Sequence, residues 1–265
     1  MIEIEQIRQF YPTLGTGDNI VFAKNILKEY IELMVLDYMS TRPYFKNLTF
    51  IGGTNLRLVK GINRFSEDLD FDIKNMNEDE FKEMTADVAH FLASSGLPVE
   101  IRDKDSSKLS AFRRNIYFPS LLYSMGLSGH KEERFLLKIE AQDQGVDYTA
   151  CNVNIRRNGF FIPINSPSDD TLLSMKLSAL LSRAKGRDFY DAMFLWSNGA
   201  KPDFNFLSQR ANIKNMEELR NAFDELMGRV DLGIKKKDFL HLIFNPNDAS
   251  RIERFPEFVK SVIST

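Results

Sequence analysis

The apolar positions of the chain first mix helical and strand periods, then settle into a helical period alone. Residues 19–40, NIVFAKNILKEYIELMVLDYMS, set Ile26, Tyr30, Leu33 and Met34 at helical spacing, with Asp37 as the polar exception. LTFIGG is a short apolar strand stopped by glycines, and INRFSEDLDFDIK ends in strict alternation, the mark of a half-buried strand. EDEFKEMTADVAHFLASSG predicts an amphipathic helix with an acidic first turn and a glycine stop. LPVEIRDKDS, AFRRNIYFPSLL and RFLLKIEAQDQG predict further strands, and NGFFIPINSPSDD a strand running into a proline-containing loop. From Thr171 onward the pattern predicts helices with short connections. A boundary near residue 165 therefore separates a mixed α/β domain, residues 1–165, from a helical domain, residues 166–265. Several strand pairs lie close in sequence, which favours a mixed sheet over a doubly wound parallel one.

Composition narrows the setting. A hydrophobic share of 43% in 265 residues supports a core for one large domain or two modest ones, and most of the 22 Phe are expected in it. The net charge of −2 gives no global attraction to nucleic acid or anionic membrane, so any polyanion site must be a local basic patch. One cysteine, Cys151, excludes an internal disulfide, fits a reducing compartment and is expected as a small core residue. No apolar run is long enough to span a bilayer, and MIEIEQIRQFYPTL carries early acids rather than a signal-peptide pattern; a cytoplasmic protein is expected.

Two charge concentrations carry candidate chemistry. In FIGGTNLRLVKGINRFSEDLDFDIK, paired glycines after a strand let the backbone turn sharply and approach a ligand, and Thr54 adds a hydroxyl. If NLRLVK opens a helix, its free N–H groups suit a phosphate. A plain Gly-Gly turn is the competing reading. In DLDFDIK, strand alternation puts Asp68, Asp70 and Asp72 on one face and Leu69, Phe71 and Ile73 on the other. Three like charges on a strand repel, and Mg²⁺ is the hard cation that most readily offsets them; a solvated edge strand is the alternative. In FLLKIEAQD, Lys138, Glu140 and Gln142 share a face. Beside the acidic strand, Glu140 would complete a metal site, with Asp72 as its competitor; otherwise it belongs to an exposed cross-strand pair.

The second concentration is SPSDDTLLSMKLSALLSRAKGRDFYDAMFLW. On a continuous helix Lys176, Arg183 and Arg187 share one face with Asp191. If Gly186 breaks the helix, Asp188 caps the next one with Asp191 as its N3 partner. Lys176 sits among Leu172, Leu173, Met175, Leu177 and Leu180, where a lysine is unexpected unless it faces a cleft. Acids for metal, a turn for phosphate and cations for a triphosphate are the parts of phosphoryl or nucleotidyl transfer.

GGTNLRLVKGINRFSEDLDF together with TLLSMKLSALLSRAKGRDFYD resembles the AbiEii-type nucleotidyltransferase toxins of bacterial type IV toxin–antitoxin systems, within the DNA polymerase β-like superfamily. The matching motifs are Gly52, Gly53 and Thr54, then Asp68 and Asp70. An acid (Asp169 or Asp170), Thr171 and Lys176 follow, then Arg183, Lys185, Arg187, Asp188 and Asp191. Thr54 stands where the superfamily usually has Ser, and both carry the hydroxyl. The resemblance spans roughly residues 20–200. It implies an α+β protein: a nucleotidyltransferase-fold mixed sheet with flanking helices and a C-terminal helical lobe. It implies transfer of a nucleoside monophosphate from an NTP, with Mg²⁺ in a two-metal site, to an RNA acceptor such as the tRNA 3′ end. Family membership would make a cognate antitoxin encoded nearby a candidate partner, and the lack of a spanning apolar run leaves no membrane partner expected. Asp68, Asp70, Lys176 and Asp191 would be catalytic, and Asp68, Asp70 and Glu140 metal-binding, Glu140 resting on strand parity rather than on the motifs. Gly53, Thr54, Arg57, Lys176, Arg183, Lys185, Arg187 and Asp188 would bind nucleotide.

Three other readings use the same residues: transfer to a small molecule or protein, a non-catalytic nucleotide- or RNA-binding module, and a metal-dependent nuclease. FRRN, NIRRNG and GIKKKD are the local basic runs that an RNA-binding surface could use, and each also reads as solvated surface.

Overall fold

The computed structural model describes residues 4–11, 19–102 and 111–263. In chain order the helices are α1 (Ile4–Arg8), α2 (Ile20–Ser40), α3 (Gly52–Leu58), α4 (Glu78–Ser94), α5 (Leu121–Ser124), α6 (Asp169–Arg183), α7 (Gly186–Ser197), α8 (Phe204–Ala211), α9 (Met216–Met227), α10 (Leu232–Lys237) and α11 (Phe255–Ile263). The strands are β1 (Leu48–Ile51), β2 (Asp68–Ile73), β3 (Glu100–Ile101), β4 (Phe112–Tyr117), β5 (Leu136–Gln142), β6 (Ala150–Arg157) and β7 (Phe160–Pro167). The strand expected over LPVEIRDKDS is reduced to β3, and residues 103–106 of it lie outside the described residues. The strand expected over AFRRNIYFPSLL ends at Tyr117, with the short α5 after it.

The chain divides into two compact units. The first comprises Met1–Gly61, Phe65–Gln144 and Asn152–Ser166; the second comprises Ile62–Arg64, Gly145–Cys151 and Pro167–Thr265. The helical unit thus draws in two short segments that periodicity alone placed with the sheet. Such a segment is too short to carry a period of its own.

The first unit is built on a five-stranded sheet in the order β1-β2-β5-β4-β3. β2 runs parallel to β5, and the other neighbours are antiparallel, so the sheet is mixed as expected. One face is apolar: Leu69, Phe71, Ile73, Leu137, Ile139 and Ala141 are all buried, and Phe50 packs on Phe71 with ring centroids 5.5 Å apart. Side-chain caps start the flanking helices. Asn19 accepts from the N–H groups of Val21 and Phe22, and Asn77 with Glu80 forms a capping box on α4.

The second unit is helical. Ser168 caps α6 by accepting from the Thr171 N–H at 3.2 Å. Its core is aromatic, with Phe189 on Phe255 at 5.0 Å and Phe223 on Phe255 at 5.5 Å. Among the described residues no helix is long and apolar enough to cross a membrane. Cys151 is exposed, which corrects its expected place in the core.

Candidate active site

The acidic strand folds as its alternation dictates. Asp68 and Asp70 are half-buried, while Leu69 and Phe71 are shut into the core. Strand β5 lies beside it in register, pairing Asp68 with Lys138 and Asp70 with Glu140. Partners in a parallel pair project to the same side, so Glu140 shares the face of Asp68 and Asp70. Asp72 follows the same parity but is buried, and its Oδ1 accepts from the Gln144 N–H at 2.9 Å.

This face holds positive charge. The Lys138 ammonium lies 2.9 Å from Asp68 Oδ2 and 3.6 Å from Glu140 Oε1. Burial pulls the Lys138 pKa down, but Asp68 and Glu140 outweigh it and raise it above the ordinary lysine value. Arg113, reaching across from β4, donates from Nε to Glu140 Oε1 at 2.6 Å. Among the described residues no three acid, histidine or cysteine groups are gathered tightly enough to form a metal cluster by themselves. The donor chemistry nonetheless fits a hard divalent cation. Asp68 and Asp70 present carboxylate oxygens on one face and Glu140 adjoins them; the Lys138 ammonium, 2.9 Å from Asp68 Oδ2, is the cation that a metal would displace.

The glycine turn serves this strand. Gly52 has φ +78°, and a Cβ added there would lie 2.1 Å from Asp70 Oδ2. The first glycine is therefore the space in which the Asp70 carboxylate sits. Thr54 is fully buried and donates its hydroxyl to the Asp68 carbonyl at 2.5 Å, tying α3 to the acidic strand instead of presenting the hydroxyl outward. Gly53 is buried in the same turn. Arg57, expected at the nucleotide, is engaged with an acid of α2. It is buried and donates to both carboxylate oxygens of Glu29, at 2.6 and 3.2 Å. Arg157 and Tyr11 also hold Glu29, at 3.0 and 2.8 Å.

In the helical unit a buried carboxylate organises the cations. Asp191 accepts from Arg64 Nε and Nη2, both at 2.6 Å, and pairs with Lys176 Nζ at 2.8 Å. Asp191 and Arg64 are almost wholly buried, and Lys176 only slightly less so. Burial pushes the Asp191 carboxyl up, but Arg64 and Lys176 outweigh it and hold it at about 2. The triad carries one net positive charge. Lys176 is thus the buried lysine flagged by its apolar neighbours, held in place by Asp191.

The single basic face expected from Lys176 to Asp191 does not form as one helix. Ala184 turns left-handed, with φ +47°, and ends α6. A second helix starts at Gly186, where a Cβ would lie 1.9 Å from the Lys235 carbonyl oxygen. Asp188 occupies N3 of that helix and accepts from the Lys185 N–H at 3.3 Å and from Arg183 at 2.8 and 2.9 Å. Asp191 is therefore not its capping partner. Lys185 is exposed and Arg187 half-buried at this corner.

Arg64, Glu29 and Glu32 were missed as organising residues. Glu29 and Glu32 stand three apart within the apolar run of α2, and that alone signals buried acids. Glu32 Oε1 is buried without a hydrogen-bond partner. Burial raises the Glu32 pKa well above the usual carboxylate value; Lys28 opposes this, while Glu29, Asp68 and Glu67 add to it. Nothing in the charge pattern distinguished Arg64 from its exposed basic neighbours.

A family model for the AbiEii nucleotidyl transferase toxins of type IV toxin–antitoxin systems matches residues 35–258. No curated protein matches the chain by sequence. Among solved structures, MenT4, a nucleotidyltransferase toxin from Mycobacterium tuberculosis H37Rv, superposes with a TM-score of 0.61 at 16% identity, covering 98% of this chain and 90% of that one. JHP933 from Helicobacter pylori gives 0.52 at 18% identity, covering 91% and 92%. At these identities the likeness is one of fold.

Proposed function

The chain belongs to the AbiEii nucleotidyltransferase toxin family and is a nucleotidyltransferase; from that premise we propose that it transfers a nucleoside monophosphate from an NTP to RNA, with Mg²⁺, the tRNA 3′ end being the expected acceptor. The observation that carries the reading is the register that sets Glu140 beside Asp70, with Asp68 on the same face.

A terminal hydroxyl attacks the α-phosphorus, the new O–P bond forms, the bond to pyrophosphate breaks, and the hydroxyl proton leaves to solvent. Asp68 and Asp70 would hold Mg²⁺, with Glu140 the further carboxylate once Arg113 lets it go. The ion would neutralise the phosphates and lower the barrier to attack. Gly52 keeps the Asp70 carboxylate in its orientation. Lys176 would contact the triphosphate, and Asp191, clamped by Arg64, fixes where its ammonium sits. Gly53, Lys185 and Arg187 would add contacts to the nucleotide. Arg183 and Asp188 would frame that corner. A cognate antitoxin encoded nearby would restrain the activity in a cytoplasmic setting.

Labelled-NTP transfer to total tRNA tests the reading. Wild-type protein should label RNA in Mg²⁺, and Asp70→Asn should not. Label appearing on protein or on a small hydroxylated molecule instead would move the acceptor to that class. Undiminished labelling by Asp70→Asn would remove the metal assignment. Induced expression should arrest growth, and Lys176→Ala should relieve the arrest.

A further inference from the structure

The hairpin of β6 and β7 has no part in the chemistry above. Its turn, Asn158–Gly159, has positive φ at both residues (+52° and +83°), the pattern of a type I′ hairpin turn. The turn fixes the register outward from Arg157 and Phe160, so Arg156 faces Phe161 and Ile155 faces Ile162. Burial agrees: Ile155 and Ile162 are shut in, while Arg156 and Phe161 are exposed. The Arg156 guanidinium stands 5.3 Å from the Phe161 ring centroid.

The outward face carries Asn152, Asn154, Arg156, Phe161 and Pro163, all exposed. Phe161 is 57% exposed although Phe160 beside it packs on Tyr30 at 5.6 Å. From Tyr148 to Ser168 the sequence has no Asp or Glu, in a chain with 37 of them. The ribbon's outward face therefore carries one cation, Arg156, and no acid of its own, since Arg157 is paired with Glu29. A solvent-facing ring, an arginine that can stack or pair with phosphate, and amides that can read base edges form a single-stranded nucleic-acid platform.

We infer that the outward face of this hairpin binds the single-stranded part of the RNA acceptor, with Phe161 stacking a base and Arg156 meeting the adjoining phosphate. This rests on the RNA reading of the function and assigns the acceptor its own surface. Asn152 and Asn154 contribute hydrogen bonds to the bases.

The test is fluorescence anisotropy of a short fluorescein-labelled single-stranded RNA titrated with the full chain, with NTP binding measured by calorimetry on the same proteins. Phe161→Ala should weaken RNA binding about tenfold, and Phe161→Trp should restore it, since any aromatic face stacks. Arg156→Ala should reduce the salt dependence of binding by about one phosphate contact. NTP affinity and thermal stability should stay unchanged, because both side chains are exposed. RNA affinity equal to wild type in Phe161→Ala, or wild-type protein that does not bind the RNA, overturns the inference. So does a hairpin whose substitutions abolish capture of a protein partner while RNA binding persists. Asp70→Asn, which removes the proposed metal ligand, should lose transfer and still bind the RNA as wild type does. If wild type transfers nothing yet binds RNA through Phe161, the transfer reading fails and the platform stands.

Discussion

The sharpest test of the glycine turn is Gly52→Ala. The added methyl would lie 2.1 Å from Asp70 Oδ2 and 2.7 Å from Asp70 Cβ and Cγ, well inside van der Waals contact. Two costs follow. Alanine at φ +78° carries about 1–2 kcal/mol of backbone strain. Turning the Asp70 side chain off its rotamer adds about 0.5–1.5 kcal/mol. Together they amount to roughly 2–3 kcal/mol, or a fall in Tm of about 5–10 °C for a unit of this size. The larger effect should fall on turnover. A carboxylate misplaced by about 1 Å costs on the order of a hundredfold in rate. Gly61→Ala is the internal control: its φ is +79°, but a Cβ there meets nothing within 4 Å. It should show the backbone strain alone, with transfer close to wild type. The assay pairs thermal unfolding with labelled-NTP transfer and Mn²⁺ binding by calorimetry. If Gly52→Ala and Gly61→Ala lose stability and activity to the same extent, the first glycine is not there to house Asp70, and the argument fails.

Three further outcomes follow from the buried charges. Asp191→Asn removes the buried carboxylate that Arg64 and Lys176 share and should cost about 3–5 kcal/mol at neutral pH by thermal or urea unfolding. The Asp191 pKa is depressed on folding, so its contribution is present above the unfolded value of 3.8 and lost as pH falls toward about 2. That shift is worth about 2 kcal/mol, and in a pH series of melts the acid loss of wild type should exceed that of Asp191→Asn by about this amount. Glu32 behaves in the opposite sense: its pKa is raised on folding, so stability is lost as pH rises above the unfolded value of 4.5. Glu32→Gln should therefore raise Tm at neutral pH, and the gain should vanish in acid. Arg57→Ala takes from buried Glu29 one partner while Arg157 and Tyr11 remain, and should destabilise the first unit by about 1–3 kcal/mol, with KM for the NTP near wild type; a large rise in KM would place Arg57 at the nucleotide.

The alternation of DLDFDIK and FLLKIEAQD decided by itself which carboxylates share a face, because side-chain direction in a strand depends only on parity. Local rules likewise gave the helical C-terminal part and the glycine stop that ends β1. The order of motifs was enough to indicate the family, since a glycine turn, paired aspartates and a later basic corner are each set by short-range sequence. What sequence could not decide was which charges turn inward. Arg57 and Arg64 look alike along the chain; one is bound to Glu29, the other to Asp191, 127 residues away in sequence. Burial of a charge depends on a partner brought close by the fold, and no local period encodes that partner. The need for glycine at 186 likewise comes from packing, since the backbone of Lys235 presses on that corner. Short-range sequence thus set faces and chemistry, and tertiary structure alone chose the buried ion pairs that hold Lys176 on Asp191 and Arg57 on Glu29.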